Sequence, residues 1–175
     1  MIRSLIAFGC ALLLAVEPPG MAVQEPPKPP AGWPDLFVNL GMYDLKIDAP
    51  VLGKGDPPEA YSQKATYLWT GGRYEAIVVT LARDPAFKDR FSAEAMKKEK
   101  TPPVAVQVAG KPAWKWEFKD DPDKFDRLAG RLVVLLAPDK VLVVEQRGFG
   151  LALEDVAKKF DLARVEKALA APPAN

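Results

Sequence analysis

The side chains able to do chemistry in this chain are carboxylates, amines, guanidiniums and aromatics. Histidine is absent, and the only cysteine, Cys10, lies inside an N-terminal apolar run. The body of the chain therefore offers neither imidazole nor thiolate. Nucleophilic catalysis by Ser-His-Asp or Cys-His, and zinc, copper or haem sites built on His or Cys, are excluded. A disulfide framework is excluded as well. What remains is acid–base work by paired carboxylates, cation binding by oxygen ligands, and recognition by charged or aromatic surfaces. No catalytic, cofactor-binding or metal-ligating residue is assigned, and no cofactor is expected.

The densest acidic run is KDDPDKFDRLAG, with Asp120, Asp121, Asp123 and Asp126. Oxygen ligands this close together could hold Ca²⁺, but an EF-hand spacing fails, because Phe125 stands where a ligand is needed and no glycine turn follows. The run reads as a solvated loop, with an irregular cation site as the alternative. Paired-carboxylate hydrolysis needs two acids across a cleft. Glu117 and Glu145, both on strand-like segments, are the first pair to check, although a charged sheet surface explains them too. That surface, Lys115, Glu117, Lys119 and Arg147, is the candidate interaction site. Tyr67, Trp69 and Tyr74 could form a stacking platform, yet no basic residues interleave as nucleic-acid binding requires. They read as a packed aromatic cluster. GKGDPPEA, Gly53 to Ala60, lacks P-loop spacing and carries Pro57-Pro58 where a helix would have to start, so it reads as a plain loop.

These side chains need elements to hold them. Val104 to Arg147 carries most of the dense apolar sequence and reads as two successive β-hairpins. In the first, Trp114, Trp116 and Phe118 alternate with Lys115, Glu117 and Lys119, giving one aromatic and one charged face. In the second, Leu132–Leu136 and Val141–Val144 are apolar on both faces, as central strands covered on both sides are. Pro138-Asp139 turns that hairpin, in a register the sequence leaves open. Upstream, Tyr43, Leu45, Ile47 and Ala49 alternate with polar residues as a half-buried strand. YSQKATYLWT and RYEAIVVTLA flank Gly71-Gly72 as a hairpin, which as a two-residue turn pairs Trp69 with Tyr74 and Tyr67 with Ala76. Asp84-Pro85 starts a helix that buries Phe87, Phe91 and Ala95 and ends in Lys97, Lys98 and Lys100 before Thr101-Pro102-Pro103. The C-terminal stripes Leu153-Val156-Ala157-Phe160 and Leu162-Val165-Leu169 are out of phase. They read as two short helices, or one kinked helix, with Asp161 capping the second turn.

Residues 1–22 carry Arg3, an apolar run from Leu5 to Val16, then Pro18, Pro19, Gly20 and small residues before Val23. This is the pattern of a signal peptide, too short to span a membrane comfortably. Lipidation at Cys10 is disfavoured, because Phe8 is bulky and the apolar run continues past the cysteine. Residues 23–34 are a proline-rich spacer, 35–171 a single domain and 172–175 a tail. The expected location is periplasmic or extracellular. The formal net charge is +1, so no overall field draws nucleic acid or an anionic membrane.

The order strand, hairpin, helix, hairpin, hairpin, helix is α+β: an antiparallel sheet of about six or seven strands in two or three hairpins, with helices packed on it. With VAGKPAWKWEF, GRLVVLLAPDKVLVVEQRG and the closing LEDVAKKFDLARVEKAL, the chain from about Asp35 to Ala171 resembles the PsbP/DcrB-like superfamily. The resemblance implies an α/β/α sandwich and an exported, mostly non-catalytic accessory or binding role. Photosystem members bind cations through residues that include histidine, absent here, so no site carries over. The expected function is thus an exported, non-enzymatic module that meets a protein or envelope component. It would be a monomer or weak oligomer with no nucleic-acid partner and no membrane span after signal cleavage. Two alternatives remain: a small-ligand or lipid carrier with an aromatic pocket near Trp114, Trp116 and Phe91, and a carboxylate-only hydrolase.

Overall fold

The computed structural model describes residues 33–55, 57–71, 75–118, 128–148 and 151–170. The segment read as a signal peptide, most of the segment read as a spacer, Tyr74, Lys119, the four loop aspartates and the tail lie outside the described residues.

Eight strands form one antiparallel sheet: β1 (Tyr43–Ile47), β2 (Val51–Leu52), β3 (Tyr61–Trp69), β4 (Ala76–Arg83), β5 (Val104–Val108), β6 (Lys111–Glu117), β7 (Leu128–Ala137) and β8 (Lys140–Arg147). Their spatial order is β1-β3-β4-β8-β7-β6-β5, with β2 pairing β3 beyond the end of β1. The two hairpins read from Val104 to Arg147 are β5–β6 and β7–β8. The doubly apolar strands β7 and β8 lie at the middle of the sheet, flanked by β4 and β6.

Strand parity divides the side chains between two faces. The first face carries Tyr67, Val79, Leu132, Val134, Leu142 and Val144 and is covered by α3 (Leu153–Lys158) and α4 (Leu162–Ala168). All seven apolar residues of the C-terminal stripes are buried there. The two-helix reading holds, and Asp161 caps α4 by accepting from the Arg164 amide at 2.9 Å. Trp33, Leu36, Phe37 and Leu40 complete this cover, with Trp33 against the Tyr61 ring at 5.0 Å. Trp33, two residues before the expected boundary at Asp35, is thus part of the core. Gly130 gives α3 its close approach, since a Cβ there would lie 2.9 Å from Leu153 Cδ1.

The second face carries Trp116, Val133, Val141 and Val143 and is covered by α1 (Phe87–Arg90) and α2 (Ala93–Lys97). Helices thus lie on both sides of the sheet. The single helix expected from Asp84 is instead two short turns. Ser92 interrupts it: its backbone is extended and its hydroxyl accepts from the Ala95 amide, so it caps a new helix rather than continuing the old one. Asp84 accepts from the Ala86 amide at 2.9 Å, and Phe87 and Phe91 pack with ring centroids 5.5 Å apart.

Three further expectations are corrected by register and edge position. Tyr67 pairs Ile77, not Ala76, and Ala65 pairs Val79. A one-residue slip would place Tyr67 and Ala65 opposite residues of the other face, so burial of Ile77, Val79 and Leu81 sets the pairing. Leu45 and Ala49 are exposed rather than packed: Leu45 lies on β1, an edge strand, and Ala49 lies past its end. The β5–β6 turn is tighter than the expected Ala109–Pro112 loop. Val108 pairs Lys111 directly, with Ala109 and Gly110 both at positive φ as a primed turn requires.

Candidate functional site

Between the second face and α1–α2 lies a cavity of about 500 Å³. That is within the range of pockets that hold a small ligand, roughly 300–1,000 Å³. Its floor comes from the middle of the sheet: Val133 on β7, Val141 and Val143 on β8, with Trp116 from β6 alongside. Its roof is Phe87 and Phe91 of α1 and its C-cap, with Met96 of α2. β2 and Gly53 close one end. The floor is apolar because β7 and β8 are apolar on both faces. The roof is apolar because Phe87, Phe91 and Met96 are the inward residues of the two helical turns.

Set into this lining are three arginines and three carboxylates: Arg83, Arg90, Arg131, Asp84, Glu99 and Glu145. Arg131 and Glu145 are directly opposite across β7 and β8. Arg131 Nε donates to Glu145 Oε1 at 2.7 Å, and Nη2 forms an ion pair with the same oxygen at 2.7 Å. Arg83 Nε donates to Asp139 Oδ2 at 2.8 Å, and its guanidinium stands 6.0 Å from the Tyr61 ring centroid. The Tyr61 contact, and then Asp139, hold Arg83 protonated against partial burial. Arg90 lies over the Phe91 ring at 5.6 Å.

A hydrogen bond from β6 pins the roof to the sheet. Trp114 Nε1 donates to the Phe91 carbonyl at 3.0 Å, so β6 holds the junction between α1 and α2. The three aromatics named for a carrier pocket therefore do meet: Phe91 and Trp116 line the cavity, and Trp114 fixes Phe91.

The candidate interaction surface does not assemble in the same way. Lys115 and Glu117 point to the first face, toward α3, whereas Arg147 shares the second face with Glu145 by strand alternation. Lys115 bonds Glu154 of α3 at 2.8 Å and Glu117 at 2.9 Å. These two hydrogen bonds, Glu154 first, raise the Lys115 pKa against the opposing effect of burial. Burial pushes Glu154 up, but the Lys115 bond and its own backbone pull it further, leaving its carboxyl below the ordinary value. Lys115 thus ties a helix to the sheet. Lys111 does the same for α4, donating to Glu166 at 2.6 Å and to the Leu136 carbonyl at 3.2 Å. The hydrolase pair also separates: Glu117 and Glu145 are on opposite faces and cannot flank one bond.

Of the three aromatics weighed as a stacking platform, Tyr67 and Trp69 pack in or against the core, and Tyr74 lies outside the described residues. Tyr67 is fully buried, and Trp69 packs edge-on to Tyr43 at 5.2 Å. Burial raises the Tyr67 phenol pKa, and its hydroxyl has no hydrogen-bond partner among the described residues. Burial, followed by a hydrogen bond to Glu75, raises Tyr43 as well. Among the described residues no group of three acidic side chains is placed to hold a metal, and no helix is long and apolar enough to cross a membrane.

The sequence reading missed the Arg131–Glu145 pair, Arg83, and the contribution of Met96. The β7–β8 turn explains the first omission. Ala137 pairs Lys140, but an irregularity between Leu135 and Ala137 shifts the ladder by one residue. Without that bulge, Leu132 rather than Arg131 would stand opposite Glu145, and the pair would not form. Comparison of the chain with protein-family models, with curated proteins and with solved structures returned no match.

Proposed function

We propose that this protein is an exported, non-catalytic binding module that takes a small ligand in the cavity beneath α1 and α2. The observation that carries this reading is the cavity itself. Its floor and roof set the apolar side chains of Val133, Val141, Val143, Phe87, Phe91 and Met96 beside charged groups, and two short helical turns cover it. Export rests on the signal-peptide pattern of residues 1–22. Helices on both sides of an antiparallel sheet are in keeping with a PsbP-like sandwich, which belongs to the same proposal. A protein partner at Lys115, Glu117 and Arg147 has less in its favour, since those side chains are divided between two faces.

Two measurements test the reading. Native mass spectrometry of protein from its own host should show a bound small molecule that leaves on denaturation. The variant Val143→Trp, which fills the cavity from its floor, should retain a cooperative melt and lose that molecule. An empty wild-type spectrum, together with no thermal shift from any member of an amphiphile panel, overturns the reading. Intact mass of the exported protein should correspond to a chain starting near Val23; retention of residues 1–22 would overturn the export part.

A further inference from the structure

We infer that the edge of the sheet at β5 is a self-association surface, on which a second copy of this chain pairs antiparallel with the first. The inference is independent of the cavity reading. Among the described residues β5 pairs with β6 alone, so its other side is a free strand edge. Strand edges are commonly protected by charges, prolines or bulges. β1, the edge at the other end of the sheet, carries Asp44 and Lys46. β5 is Val104-Ala105-Val106-Gln107-Val108, with no charge, no proline and no break in its register with β6. Val104 on this edge is 65% exposed, although it is apolar.

The β5–β6 ladder decides which backbone groups this edge presents. Val108 pairs Lys111 across a two-residue turn, so those residues exchange both N–H···O bonds, as do Val106 with Ala113 and Val104 with Lys115 by alternation. Ala105 and Gln107 therefore direct their N–H and C=O groups outward. Pro112 agrees with this parity. It stands opposite Gln107, and having no N–H it could not complete a bonded pair there.

A two-fold axis through Val106 sets Ala105 opposite Gln107 of the second copy, and Gln107 opposite Ala105 of the second copy. Both outward-facing residues then form bonded pairs. Val104 comes to lie opposite Val108 of the second copy, on the α3 side, where its apolar surface is covered. The strand's own sequence thus supplies a complete partner, with no like charges opposed. The axis stands perpendicular to the sheet, so the cavities of both copies open on the same side of one continuous sheet. Pairing through one strand of 5 residues belongs with small interfaces, below roughly 1,200 Å² in all, so the dimer is weak and concentration-dependent.

Sedimentation velocity of the full exported chain, from micromolar to near-millimolar concentration, should show a monomer–dimer equilibrium. In the dimer the Ala105 and Gln107 amides should gain protection from hydrogen exchange, whereas the Val104, Val106 and Val108 amides are protected at every concentration. Gln107→Pro removes an outward N–H and leaves the bonds to β6 in place, so it should abolish the dimer and retain a cooperative melt. Two charge variants on exposed positions test the register. Ala105→Lys with Gln107→Lys sets lysines opposite each other in both bonded pairs, and Ala105→Lys with Gln107→Glu sets lysine opposite glutamate. At low ionic strength the first should have a dimer Kd about tenfold above the second. These two variants decide the matter if Gln107→Pro fails to fold. A wild type that stays monomeric at the highest concentration overturns the inference, whether or not the cavity binds a ligand. So does a dimer that persists in folded Gln107→Pro, or one that treats the two charge variants alike.

Discussion

Val144 and Val143 are neighbours on β8, yet they face different environments. Val144 points to α3 and α4, in a core where Leu132, Val134, Leu142 and Val156 are each 0% exposed. Val143 points to α1 and α2 and stays half-buried beside a void of about 500 Å³. The covers differ correspondingly. Behind Val144 stand two helices, the Trp33–Leu40 segment and two ionic ties, Lys115–Glu154 and Lys111–Glu166. Over Val143 stand two single-turn helices pinned by the Trp114–Phe91 bond. The first face closes the fold, and the second keeps room under a light cover.

Truncation on each face tests this difference most severely. Leu142→Ala on the closed face should cost about 3–5 kcal/mol, because the surrounding core has no slack to relax into the space. Met96→Ala, equally buried in the roof, should cost about 2 kcal/mol, the low end of the same range, since its site borders an existing cavity. Urea denaturation reads both. Equal losses would mean that the roof is packed as tightly as the α3–α4 side, and the contrast between the faces would be lost.

The closed face also has a flaw that can be corrected. The Tyr67 hydroxyl is buried without a partner, and burial raises its pKa above the ordinary 10.0. Tyr67→Phe removes an unsatisfied polar group and should stabilise the protein by about 1 kcal/mol at neutral pH. The pH dependence has a defined sign. A folded-state pKa above the unfolded one gives stability that is fully present below pH 10.0 and is lost as pH rises from there toward the folded value. Wild-type urea midpoints should fall above that pH. The variant should fall less steeply, with Tyr43 supplying the remaining slope because its phenol is raised too. An identical alkaline limb in the variant would show that Tyr67 does not contribute.

The closed face was largely legible in the sequence and the cavity was not, for a physical reason. Leu153-Val156-Ala157-Phe160 and Leu162-Val165-Leu169 are runs in which period alone assigns the buried side, and the doubly apolar β7 and β8 announce a sheet centre. Trp33 escaped only because prolines surround it. The cavity depends on facts that period does not encode. Ser92 breaks one helix into two turns, although Ser within a helical pattern is common. The bulge near Leu136 brings Arg131, rather than Leu132, opposite Glu145, although the turn residues Pro138-Asp139 look the same with or without it. A site assembled from register and helix breaks is invisible to alternation counts, whereas Trp114 and Trp116 were found by alternation on one strand and Phe91 by its helical spacing from Phe87.

The smallest expected effects concern the ion pairs, and they bear on what each face uses charge for. Lys115–Glu154 and Arg131–Glu145 are both partly exposed, so removing either cation should change neutral-pH stability by about 1 kcal/mol or less. Their pH signatures and ligand effects should differ instead. Glu154 is held below the ordinary 4.5, so its contribution is present above pH 4.5 and is lost as pH falls through the depressed folded value. Lys115→Met should therefore flatten the acid limb of the urea midpoint while leaving binding of the amphiphile panel unchanged. Arg131→Met should alter that binding. If Lys115→Met changed affinity as much as Arg131→Met, the α3 side would be part of the site, and the two faces could no longer be assigned separate tasks.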